Sequence, residues 1–139
     1  MSVDLTVYME RRARLSPRQW AEAIRAAGFS LILDEEFDVA THTGFLPCTM
    51  DGVVTGFEYF ADEVTDETRA DHGLPEGFDF SVTLTTHSDT RELAASMIAA
   101  AVLATATAGK LDDPQAGERY EGEAALAWAR EQLAEMAKD

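Results

Sequence analysis

Between Glu92 and Lys110 runs LAASMIAAAVLATATAG, 17 residues without a charge and built mainly from alanine. Any fold of this chain must keep most of that segment out of water. A bilayer-spanning helix needs about 20 predominantly apolar residues. Here Ser96, Thr105 and Thr107 interrupt a shorter run that is poor in large aliphatic side chains. Alanine is the best helix former and lets a helix lie close on its neighbours, while Leu93, Met97, Ile98, Val102 and Leu103 point in several directions about the axis. Asp89, with Glu92 three residues on, provides an N-cap and its partner, and Gly109 followed by Lys110 provides a stop. The segment is expected to form a helix over 93–108 that is buried on a sheet inside a globular fold, with no membrane span.

The flanking sequence alternates as strands do. In VDLTVYMER, Val3, Leu5, Val7 and Met9 share one side and Asp4, Thr6, Tyr8 and Glu10 the other. Ser16, Pro17 and Gln19 open a helix whose apolar face is Trp20, Ile24 and Ala27 and which Gly28 ends. SLILD reads as a short buried strand. TGFLPCTM and VVTGFEYF flank Asp51-Gly52, a pair that favours a two-residue hairpin loop. Such a loop puts Leu46, Cys48, Met50, Val53, Phe57 and Tyr59 on the core face, and Phe45, Pro47, Thr49, Val54, Glu58 and Phe60 on the other. Pro47 cannot donate to a ladder, so its strand belongs at an edge or carries a bulge.

Ala61 to Asp79 reads as a long acidic loop with at most a helical turn. FDFSVTLTT places Phe78, Phe80, Val82 and Leu84 on one face, KLDDPQAG is a short strand or turn, and Ala124 to Ala137 is an amphipathic helix with Trp128 at its margin. Together these predict a single α+β domain over residues 1–139. Its sheet is largely antiparallel, of about five strands around the Asp51-Gly52 hairpin, packed against two to three helices including the Ala-rich one.

Charge narrows the range of partners. The formal net charge is −15, with 11 Lys and Arg against 26 Asp and Glu. Residues 34–92 carry −13 of it, and residues 1–33 are slightly positive. This balance excludes a phosphate-backbone or anionic-membrane ligand and favours a basic protein. The N-terminal residues lack the basic and apolar regions of a signal peptide, and a lone Cys48 forms no internal disulfide, so the expected location is the cytoplasm.

No local motif carries catalysis, and no cofactor is expected. His42, His72 and His87 have neither helical spacing nor a paired cysteine, so they make no zinc motif, and the acids of 62–71 do not match a calcium loop. Ser88 and Asp89 beside His87 are helix caps rather than parts of a triad, since sequence neighbours point apart.

The segments THTGFLPCTMDGVVTGFEYF and GKLDDPQAGE resemble stretches of small uncharacterised bacterial proteins, some of a kind similar to the immunity proteins encoded beside toxins. The resemblance implies a small, acidic, cytoplasmic protein that acts by binding, and it assigns no functional residues. The leading expectation is therefore a protein-binding module. Phe45, Val54 and Phe60 would anchor a basic partner, and Glu58, Asp62, Glu63, Asp66, Glu67 and Asp71 would steer it. Two other readings stand beside it: a small enzyme or ligand-binding domain with a pocket near His42 and His87, and a self-associating protein that pairs face to face through Phe45 and Phe60 as a homodimer.

Overall fold

In the computed structural model, which describes residues 2–138, the Ala-rich segment is α3, Thr90–Thr107, and twelve of its residues are buried. Asp89 caps it by accepting hydrogen bonds from the backbone N–H groups of Arg91 and Glu92. No described helix is long and apolar enough to cross a membrane. The end of α3 differs from the expectation. Ala108, not Gly109, takes the left-handed conformation, with φ of 55°. Gly109 serves a close approach instead: a Cβ there would lie 2.6 Å from the Tyr8 carbonyl oxygen and 2.9 Å from Thr107 Oγ1. Because the first obstacle is backbone, Gly109→Ala should destabilise the fold by about 2 kcal/mol, measured by urea unfolding.

α3 packs on a sheet of seven strands, counted among the described residues, in the order β2-β3-β4-β5-β1-β6-β7 with every neighbouring pair antiparallel. These are β1 Val3–Met9, β2 Leu31–Leu33, β3 Thr43–Met50, β4 Val53–Glu63, β5 Phe80–Thr86, β6 Lys110–Asp113 and β7 Glu118–Tyr120. Four α-helices among the described residues accompany them: α1 Pro17–Ala26, α2 Asp66–His72, α3, and α4 Glu123–Ala137. The expected five strands and two to three helices were thus too few. β6 and β7 are too short to show a strand alternation; β6 forms on the open ladder of β1, and β7 on that of β6.

The core lies between the sheet and the layer formed by α1, α3 and α4. Leu5, Val7 and Met9 of β1 face Leu84, Val82 and Phe80 of β5, and Phe57 and Tyr59 of β4 join them. Trp20 of α1 is fully buried, and its indole N–H donates to the Ala99 carbonyl at 3.0 Å. That bond closes α1 onto α3 through a carbonyl exposed by neighbouring alanines. The Ser16 capping box of α1 is complete in both directions. Trp128 is not at the margin of α4 but buried, with its ring stacked on Tyr120 at 5.0 Å.

The segment after β4 also departs from the expected loop. β4 runs on to Glu63, Thr65 caps α2 by accepting from the Thr68 N–H, and Gly73 closes the helix in the left-handed conformation. α2 lies on the sheet face opposite α3. There Tyr8, Val64 and Phe78 form a second small apolar cluster with Leu74 packed on it, and His72 sets its ring 5.4 Å from that of Tyr8. Phe78 therefore serves this cluster, apart from Phe80, Val82 and Leu84.

Candidate functional site

Beyond α2, nothing among the described residues covers the outer face of β2, β3, β4 and β5, and its side chains follow from the strand register. Ile32, Thr49 and Val54 stand in line across β2, β3 and β4. Pro47 faces Gly56, and Phe45, Glu58, Thr85 and Asp4 form the next row. Thr43, Phe60, Thr83 and Thr6 follow, then Asp62, Ser81 and Tyr8. Exposure is 67% at Ile32, 53% at Phe45, 75% at Val54 and 38% at Phe60. An antiparallel sheet with one wet face ordinarily carries polar residues there, so four exposed apolar side chains on one side are out of pattern.

Two local features shape this surface. The Phe45 ring covers Gly56, where an added Cβ would meet the ring at 2.5 Å. The carboxylates concentrate toward the other end of the strands. Glu58 Oε2 lies 2.9 Å from His87 Nε2, Asp4 accepts from Thr85 Oγ1 at 2.7 Å, and Asp62 stands one row past Phe60. The face thus grades from apolar at the hairpin end to acidic at the α2 end.

The expected steering residues divide between places. Glu58 and Asp62 lie on the open face, whereas Glu63 stands opposite Phe80 and reaches Arg11 at 3.5 Å on the helix side. Asp66 pairs with Arg69, and with Glu67 it occupies the first turn of α2, where negative charge complements the helix dipole. Arg69 also donates to the Val64 and Phe78 carbonyls at 3.2 and 2.8 Å, which ties α2 down. Glu67 and Asp71 make no ion pair among the described residues. Sequence reading missed Ile32, taken as part of a buried strand, and it put Val53 on the core face, although Val53 sits exposed at the hairpin tip. The alternation Leu31, Ile32, Leu33, buried then exposed then buried, was the available signal.

Reactive chemistry has little support here. Burial, and to a lesser degree the nearby Glu92, push the Cys48 thiol up to about 12, so it stays protonated. His42 packs its ring against Phe37 and Tyr59 with Nε2 3.2 Å from the Phe45 carbonyl oxygen, His72 sits on Tyr8, and His87 pairs with Glu58. Among the described residues no group of three His, Cys, Asp or Glu side chains could hold a metal ion. The chain matches no family model, no curated protein and no solved structure.

Proposed function

We propose that the protein is an acidic binding module of the immunity type, and that a basic protein docks on the open face of β2 to β5. The observation that supports this reading is the exposure of Ile32, Phe45, Val54 and Phe60 on one face bordered by Glu58, Asp4 and Asp62. Apolar side chains of this size gain most when a partner removes them from water, and carboxylates beside them favour a partner rich in Lys and Arg. Glu67 and Asp71 of α2 lie at the acidic end and add to the long-range attraction.

The test is calorimetric and kinetic titration against the product of the gene beside this one. Phe45→Ala and Phe60→Ala should each weaken binding by about tenfold or more, chiefly through faster dissociation. Neutralising Asp62, Glu67 and Asp71 together should slow association at low salt, and the difference should shrink above physiological ionic strength, where the Debye length is about 8 Å. Binding that survives both sets of changes would place the contact elsewhere on the molecule.

A further inference from the structure

The free edge of β2 goes beyond that reading. The Asp34 N–H donates toward the Pro47 carbonyl at 3.4 Å, and Ile32 stands opposite Thr49. Backbone groups of alternate residues in a strand point the same way, so Ile32 and Asp34 bond inward to β3. Leu31 and Leu33 therefore aim their N–H and C=O groups outward, where β2 ends the sheet. Among the described residues no element pairs with this edge: the strand, Leu31–Leu33, is blunted by its shortness but carries no Lys or Pro, and its side chain on the open face is the exposed Ile32.

We propose that a second copy of this chain pairs antiparallel along β2, extending the sheet across a two-fold axis at Ile32. The pattern is self-complementary. Centred on Ile32, Leu31 of each copy faces Leu33 of the other, and these are the residues whose four outward groups are free, so both pairs exchange two hydrogen bonds. Ile32 then meets its symmetry mate at a non-hydrogen-bonded position, where side chains approach most closely.

One charged contact suits this register, although it also brings Asp34 of one copy beside the Ser30–Asp51 pair of the other. Continuing it places Glu35 of one copy opposite Phe29 of the other. Arg130 stacks its guanidinium 5.6 Å from the Phe29 ring, and Arg25, which has no ion pair among the described residues, lines the same groove as Phe29. That groove, about 690 Å³ between α1 and the strand edge, is open to receive the partner. Each copy thus sets Arg25 and Arg130 near the Glu35 of the other, in a groove that also carries Arg18 and the carboxylates Glu22, Glu35 and Asp51, and the contact occurs twice. The net negative charge opposes approach at long range, but screening at physiological salt leaves the short-range pairs to decide.

Sedimentation velocity on the full chain from 1 to 200 µM provides the test. The parent should shift from the mass of one chain to that of two, and the Leu31 and Leu33 amides should exchange hydrogen about tenfold more slowly at the high end. Ile32→Lys, at an exposed position, should remain monomeric throughout. Glu35→Arg and Arg25→Glu should each weaken the dimer at least tenfold, and the double variant should recover most of the loss. A parent that stays monomeric to 200 µM overturns the proposal. So does a dimer indifferent to Ile32→Lys, or a charge swap without recovery.

Discussion

Phe57→Ala should lower stability by about 3 to 5 kcal/mol, whereas Glu58→Ala, one residue on, should cost under about 1 kcal/mol. Phe57 is 1% exposed and faces Leu46 across the hairpin, within the layer closed by α3. Truncation there removes the ring's transfer energy and leaves a cavity among side chains held by the rigid Ala-rich helix, which has few flexible groups to fill it. Glu58 points to the open face and keeps only its contact with His87. Exposed pairs of that kind contribute little. Guanidinium unfolding of the two variants checks the result, and equal losses would mean that the two faces of β4 are equivalently packed.

Stability should also fall on the alkaline side, and Cys48 should account for much of the fall. Its thiol is raised from 9.0 to about 12 in the fold by burial first and by Glu92 second. Above pH 9 the unfolded chain releases this proton while the folded chain keeps it. The unfolded state is then the one stabilised by rising pH, so the free energy of unfolding declines by about 1.4 kcal/mol per pH unit until the folded thiol titrates. By pH 11 the loss from this group is about 2 to 3 kcal/mol. Tyr59 acts in the same direction from pH 10 upward. Its hydroxyl is buried, lies near Asp38 and donates to the Val39 carbonyl at 2.6 Å, all of which hold it protonated. Urea titrations of the parent and Cys48→Ala separate the two. The advantage of the parent over the variant should be constant below pH 8 and should shrink steadily above pH 9. A constant difference would show that Cys48 ionises in the folded state as readily as in the unfolded one.

The parts of the fold that local chemistry specifies were readable in the chain. A two-residue Asp-Gly loop admits one register, so the partners of Leu46, Cys48 and Met50 could be counted off from Asp51 and Gly52, whose φ angles are 52° and 78°. Ser16 and Gln19 close a capping box through atoms three residues apart. α3 was legible because an uncharged alanine run has so few places to go. Segments whose signal is weak over short lengths were not legible. α2 has seven residues, and its Asp and Glu, suited to a helix N-terminus, read equally well as a solvated loop. The candidate face was half legible: the sequence placed Phe45, Val54, Glu58 and Phe60 together, but whether anything covered them depended on which side α3 chose.

Period and capping are local, so the sequence by itself determined the helices α1, α3 and α4, the strands β1 to β5, and which side chains share a strand face. Tertiary structure decided the rest, because it depends on contacts between residues far apart in the chain. β1 became an inner strand only when β6 added to it and β7 to β6, and β2, not Pro47's strand, became the sheet's end. Pro47 is accommodated because its missing N–H faces the β2 side just past the last paired residue of that strand. All the large helices pack on one side, since α3 needs burial all round and can obtain it only between the sheet and α1 and α4. That choice left Ile32, Phe45, Val54 and Phe60 in water, which no reading of periodicity alone could establish.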